Sequence, residues 1–187
     1  MVRTRVLITV LAALTAAAVA VPAWAIIVNG TVAAGVTLTG TSTNAPSFSL
    51  TLNGVDQTPT YSMGISVVDA RGIASGSPGG WNLTITSTTF NDGAGHTFPT
   101  NASTITGVAS GCGASSTCTP PTNAIANTNL AVPAAGVAPA AVKYENAASG
   151  SGLGTNTITA TVQVAVPSNV FAGTYSSTVT VAIAATP

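Results

Sequence analysis

Apolar and polar residues alternate along five stretches of this chain, which is the pattern of a β-strand with one buried face. The five stretches are SFSLTLN (47–53), TYSMGISVV (60–68), WNLTITS (81–87), TITATVQVAV (157–166) and TYSSTVTVAIA (174–184). Each places its apolar side chains on one face and mainly Thr, Ser or Asn on the other. We predict two shorter strands at Ile26–Val32 and Gly35–Thr39.

The alternation predicts an all-β fold, an antiparallel β-sandwich. Strands with one apolar and one hydroxyl-rich face pack as antiparallel sheets around a shared core. Turn signals at Asn53-Gly54, Gly79-Gly80 and Asp92-Gly93 separate the strands. Residues 91–153 show neither clear alternation nor helical periodicity, so we predict a loop-rich middle segment there.

The N-terminus has the pattern of a secretory signal peptide over residues 1–25. Arg3 and Arg5 precede an uncharged apolar run, and Ala23-Trp24-Ala25 fits the small-x-small cleavage rule. Cleavage after Ala25 leaves one domain, residues 26–187, with no predicted membrane span. An uncleaved anchor is the alternative, but the apolar run is shorter than the roughly 18 residues of a spanning helix. The predicted location is extracellular.

Charge excludes several classes of partner. Removal of Arg3 and Arg5 leaves Arg71 and Lys143 against four acidic residues, a formal net charge of −2. Nucleic-acid binding by counterion release needs a basic patch, so we predict no nucleic-acid partner. The neutral, hydroxyl-rich composition suits a structural or adhesive extracellular protein better than an enzyme, which usually needs several convergent ionisable groups.

Cys112 and Cys118 are the two cysteines of the chain, and in an oxidising compartment this spacing favours one local disulfide. Metal binding would need further ligands, and His96 is the one histidine. A redox pair is the third alternative, although the spacing exceeds that of a CxxC site. We predict no metal site and no cofactor.

Catalytic motifs are absent from the sequence: it has no G-x-S-x-G, S-x-x-K, P-loop or H-E-x-x-H pattern. His96, in GAGHTFP, is interpreted as a surface loop residue. A secreted hydrolase that uses His96 with a distant serine and aspartate is the alternative, and our prediction is a non-enzymatic protein.

Two stretches resemble the signatures of WxL-domain surface proteins of Gram-positive bacteria. The first is Trp81-Asn82-Leu83, which follows two glycines. The second is the C-terminus, with a proline, Ala-Gly-x-Tyr, apolar residues in a final strand and a closing proline: Pro167, Ala172, Gly173, Tyr175, Val179, Val181, Ile183 and Pro187. GSGLG (150–154) is similar to the small-residue turn that precedes the penultimate strand of the family. Val181 stands where the family often has a second W-x-L tryptophan.

The resemblance implies a domain that attaches non-covalently to the cell wall through peptidoglycan or another wall glycan, with other surface proteins as further partners. The candidate binding residues are Trp81, Leu83 and Tyr175. Alternation puts Trp81 on the inward face with Leu83, so a core anchor is one interpretation; a ring partly exposed for stacking on sugars is the other. Because charges that normally guard sheet edges are scarce, the alternative function is a self-assembling subunit of a surface layer, fibre or biofilm matrix.

Overall fold

The computed structural model describes residues 38–71 and 79–186, and the backbone alone of residues 24–27. Most of the predicted signal peptide, residues 1–23, lies outside the described residues. The predicted cleavage site falls inside the first strand, between Ala25 and Ile26. Residues 28–37 also lie outside, so the predicted strands Ile26–Val32 and Gly35–Thr39 are described at Ile26–Ile27 and Leu38–Thr39, both within strands.

Strands and loops make up the described parts of the chain, which contain no helix, and therefore none that could cross a membrane. The strands are β1 (Trp24–Ile27), β2 (Leu38–Ser42), β3 (Thr60–Asp69), β4 (Trp81–Thr88), β5 (Ser103–Cys112), β6 (Leu130–Ala131), β7 (Ala134–Ala135), β8 (Val142–Ala147), β9 (Gly154–Val164) and β10 (Thr178–Ala184).

These strands form two sheets. In the first, β10 lies between β1 and β4, and the other side of β4 pairs with β8 along its first half and with β7 near its end. The second has the order β2–β3–β9–β5–β6. All pairs are antiparallel except the short β4–β7 pair. The all-β sandwich is confirmed, with one parallel pair that the sequence did not predict.

The apolar faces of the alternating strands meet in the core between the sheets. The core residues that alternation predicted are Tyr61, Met63, Ile65, Val67, Trp81, Leu83, Ile85, Ile158, Ala160, Val162, Val164, Val166, Val179, Val181 and Ile183. Burying a side chain of this size stabilises the fold by about 1.5–3 kcal/mol. The outer face of β4 is covered too: the Thr86 hydroxyl donates to the carbonyl of Pro139 at 2.9 Å.

The middle segment, residues 91–153, is loop-rich as predicted, but it also contains strands that the sequence did not predict. It contains β5, an internal strand that pairs with β9 from Ser103 opposite Val164 to Cys112 opposite Asn156, and β8, which pairs with β4. A register shift between Ile105 and Gly107 interrupts the regular pattern of β5. The residues after this shift, Gly107–Cys112, are mostly small. Because few of them are apolar, this half of the strand gives only a weak period-two signal.

The predicted strand at residues 47–53 is also wrong, although its alternation is correct. Phe48, Leu50 and Leu52 pack against the core, while Ser47, Ser49 and Thr51 are exposed. The segment belongs to neither sheet ladder. Amphipathic alternation reports which side chains are buried, and it does not require a backbone partner.

Candidate functional site

Trp81 is a core residue, and no part of its ring is exposed. Its indole Nε1–H donates to the carbonyl of Gly152 at 3.0 Å. Gly152 has φ of +71°, and a Cβ there would lie 2.5 Å from Trp81 Nε1 and 2.4 Å from the Cβ of Ala147. The W-x-L tryptophan therefore packs on the GSGLG turn, where close approach and a positive φ both require glycine. The interpretation of Trp81 as a partly exposed stacking surface does not agree with this geometry.

Leu83 is equally buried and lies opposite Ile183 of β10. Val181, at the position of the missing second tryptophan, pairs with Ile85 and is fully buried. The W-x-L segment and the final strand are thus neighbours in one sheet. Their contribution, including that of Leu83, is to the core rather than to an exposed binding surface.

An ion pair closes the Trp81 end of the sandwich. Arg71 makes two side-chain hydrogen bonds to Asp69, at 2.8 and 2.7 Å, and donates to the carbonyl of Gly80 at 2.6 Å. The carboxylate of Asp69 is fully buried. A buried carboxylate needs such a partner, so Arg71 is committed to a structural role that ties the end of β3 to the start of β4.

Tyr175 lies at the other end of the sandwich. It follows β9 in the loop that leads to β10, whereas Trp81 starts β4, and the eight residues of β4 separate the two ends by roughly 26 Å at 3.3 Å per residue. The Tyr175 hydroxyl donates to the carbonyl of Phe171 at 3.1 Å, and its ring centroid is 4.4 Å from that of Phe98. The predicted residues Trp81, Leu83 and Tyr175 therefore do not form one site.

An open cleft of about 710 Å³ lies at the Tyr175 end. Its volume is within the range of roughly 300–1,000 Å³ that is usual for ligand sites. The lining residues come from the segments 47–52 and 166–176 and from the ends of the loop after β4: Ser47, Phe48, Ser49, Leu50, Thr51, Leu52, Phe90, Phe98, Val166, Val170, Phe171, Ala172, Gly173, Thr174, Tyr175 and Ser176. We call this the aromatic cleft. Its lining combines aromatic rings with hydroxyl groups and carries no charged side chain.

Four rings connect the wall of the aromatic cleft to the core. Phe48 stacks on Tyr61 with centroids 6.3 Å apart, and Phe90 contacts both Phe48 and Phe98, at 6.0 and 5.3 Å. Phe90 and Phe98 are buried, so they form the floor. Phe171 is 62% exposed and is the ring that the aromatic cleft presents to solvent.

His96 lies beside the aromatic cleft and is held by Asp92. Its Nδ1 is 2.5 Å from Oδ2 of Asp92, and its ring stacks on Phe171 with centroids 4.0 Å apart. The side-chain hydrogen bond from His96 is the main cause that lowers the pKa of Asp92, against a smaller opposing effect of desolvation. The imidazole of His96 thus contacts the carboxylate of Asp92 and the phenyl ring of Phe171.

The disulfide between Cys112 and Cys118 is confirmed. It joins Cys112, at the end of β5, to Cys118, whose backbone forms an antiparallel bridge with Gly154. Gly154 has φ of +78°, and a Cβ there would lie 2.6 Å from the carbonyl oxygen of Thr117. The bridge therefore fixes the segment that packs against the GSGLG turn. Over residues 38–71 and 79–186, no three His, Cys, Asp or Glu side chains come together as a metal site.

Glu145 is a buried acid that the sequence did not single out. It is 1% exposed, and its Oε2 accepts a hydrogen bond from the side-chain amide of Asn127 at 2.8 Å. Burial raises the pKa of Glu145, while the hydrogen bonds from Asn127 and Ser110 lower it. The carboxyl group lies inside the fold and faces no solvent, so it belongs to the structure and not to the aromatic cleft.

Sequence reasoning missed Phe90, Phe98 and Phe171 as site residues. Each occurs singly in a loop, where an isolated aromatic residue carries no periodic signal. The Ala-Gly-x-Tyr stretch was the one available indication, since it places Tyr175 a few residues from Phe171. No family model, curated protein or solved structure matches this chain. Membership of the WxL family stays a prediction from the two signatures.

Proposed function

We propose that this protein is exported and binds the cell wall non-covalently, as a non-enzymatic surface protein, through the aromatic cleft. The ligand is a neutral glycan of the wall, with peptidoglycan as the leading candidate. The signal peptide predicted at residues 1–25 supports the extracellular location, and the resemblance to WxL-domain proteins supports the wall ligand.

One observation carries this proposal: the aromatic cleft has an open, uncharged lining in which exposed Phe171 lies beside Ala172, Gly173 and Tyr175 of the second signature. Sugar rings have apolar faces and polar edges. Aromatic side chains offer the matching apolar surface, and the hydroxyls of Ser47, Ser49 and Thr51 at the rim offer donors and acceptors. The same lining gives a polyanionic wall polymer no cation to bind.

Charge elsewhere on the molecule agrees with a neutral ligand. Arg71, one of two basic residues in the predicted mature chain, is bound to Asp69 and to the carbonyl of Gly80. Binding that does not depend on cations should be nearly insensitive to salt, because screening weakens interactions between exposed charges and leaves apolar contacts in place.

The experiment is co-sedimentation of the mature protein with purified peptidoglycan at low and at high salt. We expect the same bound fraction in both. No sedimentation at either salt concentration would reject the wall-binding proposal. Sedimentation that disappears at moderate salt would contradict the neutral-ligand part and would assign the contact to the few charges.

A second candidate function, self-assembly into a surface layer or fibre, is favoured by an outer strand. β2 lies at one edge of the second sheet and carries no charged side chain. Uncharged edges lack the usual protection against edge-to-edge pairing. Analytical ultracentrifugation separates the two proposals: wall binding predicts a monomer across the concentration range, and self-assembly predicts large species that grow with concentration.

A further inference from the structure

A second cleft of about 430 Å³ lies next to the aromatic cleft. We call it the His96 cleft. The two clefts share Phe98, Val170, Phe171 and Tyr175 in their linings. Since these residues belong to both, the clefts are adjoining parts of one groove, with Phe171 and Tyr175 at the boundary.

The boundary between the clefts is supported on several sides. The His96 ring stacks on the Phe171 ring at an interplanar angle of 26°, and the Tyr175 hydroxyl bonds to the Phe171 carbonyl. At the start of the same loop, the backbone N–H of Ser168 donates to Asp56 Oδ1 at 2.8 Å. An exposed ring that is held by its neighbours loses little conformational freedom when a ligand covers it, which favours binding.

His96 is also fixed in orientation. Asp92 Oδ1 accepts from the backbone N–H groups of Ala94 and His96, at 2.8 and 3.0 Å, and its Oδ2 contacts His96 Nδ1. An ionised carboxylate at Nδ1 selects the tautomer with the proton on Nδ1, so Nε2 of the neutral ring is a hydrogen-bond acceptor. Oδ2 of Asp92 therefore holds the imidazole, while Oδ1 holds the backbone of the turn that carries it.

Besides His96, the polar side chains that line the His96 cleft are those of Thr97, Tyr175 and Asn169, and Asn169 carries the amide, which is exposed. An amide supplies two donors and one acceptor, and the imidazole supplies one acceptor. Pro99 and Pro167 add flat apolar surface. This set suits a neutral ligand that carries hydroxyl or acetamido groups beside an apolar ring face, which is the chemistry that the aromatic cleft also favours.

We propose that the two clefts are successive subsites for a glycan chain that passes over Phe171, and that His96 and Asn169 provide the polar contacts of the second subsite. This inference rests on the proposed function and adds a ligand class: a polymer of several neutral or acetamido sugar units, rather than a single sugar. His96 has two roles, as a contact to the ligand and as the residue that positions Phe171.

The test uses β-1,4-linked N-acetylglucosamine oligomers of two and six units, titrated into the mature protein by isothermal calorimetry. A short oligomer fills one subsite and a long one fills both, so we expect the longer oligomer to bind roughly tenfold or more tightly. Asn169→Ala should remove most of this gain and leave the affinity for the dimer within about twofold of wild type.

Two further variants separate the roles of His96. His96→Phe keeps a ring against Phe171 and removes the acceptor, so it should retain dimer binding and lose the gain with length. His96→Ala removes the ring as well as the hydrogen-bond acceptor, so it should weaken the binding of both oligomers. Val137→Ala is the matched control, because Val137 is 86% exposed and lines neither cleft. Melting curves establish that each variant is folded.

If both Asn169→Ala and His96→Phe still bind the six-unit oligomer more tightly than the two-unit oligomer by the wild-type factor, the proposal of a second subsite is overturned. Equal affinity of wild type for both oligomers, or binding of neither while peptidoglycan still sediments the protein, would overturn the inference and leave wall binding standing. Failure to bind the oligomers and peptidoglycan alike would reject the proposed function itself.

Discussion

Truncation of Trp81 separates the core interpretation from the binding interpretation of the W-x-L motif. The whole side chain is buried, and its indole N–H bonds to the carbonyl of Gly152. Loss of a buried tryptophan costs about 3–5 kcal/mol. The hydrogen bond is included in that loss, but the Gly152 carbonyl keeps a second donor, the amide of Asn156 at 2.8 Å. No orphaned carbonyl is therefore created, and we expect Trp81→Ala to lower the free energy of unfolding by about 4 kcal/mol.

The assay is urea unfolding followed by far-UV circular dichroism. Fluorescence is unsuitable, because Trp81 is the one tryptophan of the predicted mature chain. A loss of about 4 kcal/mol corresponds to a fall in Tm of roughly 8–16 °C for a domain of this size. Trp81→Phe is the matched variant: it keeps a ring in the core and should cost less. An unchanged unfolding midpoint in Trp81→Ala, together with loss of wall binding, would refute the core interpretation.

The remaining predictions concern glycines, the disulfide and a buried acid. Gly152→Ala should lower the free energy of unfolding by at least about 2 kcal/mol, because of the positive φ and because the new Cβ overlaps the indole. Gly173→Ala is the matched control: a Cβ there would have its nearest contact 4.0 Å away, so its stability should stay within about 0.5 kcal/mol of wild type. Thermal unfolding measures both. Reduction of the Cys112–Cys118 bridge, which closes a loop with a sequence separation of 6, should lower the free energy of unfolding by about 2 kcal/mol in denaturation with and without reductant; no change would show that the bridge does not constrain the unfolded chain. Burial raises the pKa of Glu145 above its ordinary 4.5, so its contribution to stability is complete below that pH and is lost as the pH rises through the raised pKa. Wild type should therefore lose stability relative to Glu145→Gln as the pH rises above 4.5, and parallel Tm profiles for the two proteins would contradict the shift.

Strand faces were predictable from the sequence because period two reports burial directly. β3, β4, β9 and β10 were each predicted from alternation, and their predicted apolar faces form the core. The alternation pattern gave wrong strand predictions where the burial of side chains and the pairing of the backbone in a sheet do not coincide. Phe48, Leu50 and Leu52 are half-buried without a strand partner. The second half of β5, Gly107–Cys112, pairs with β9 but has few apolar residues to mark it as a strand.

The aromatic cleft was beyond sequence reasoning for a different reason. Three separate loops supply the rings, one with Phe48, one with Phe90 and Phe98, and one with Phe171. The rings meet because the sheet topology brings those loops to one end of the sandwich. The spacing of residues along the sequence does not show which loops come together in the folded protein. The second signature points to Tyr175, which lines the aromatic cleft. The first points to Trp81, which is a core residue at the opposite end.

The most direct test of the central claim is the binding isotherm of Phe171→Ala on purified peptidoglycan, measured beside wild type and the Val137→Ala control. Phe171 is 62% exposed, so its truncation should leave the melting temperature unchanged. Loss of a phenylalanine that becomes buried under the ligand costs about 1.5 kcal/mol or more, which is roughly tenfold in Kd. We expect at least that loss for Phe171→Ala and wild-type affinity for Val137→Ala. Equal affinity of all three proteins for peptidoglycan would show that the aromatic cleft is not the wall-binding site.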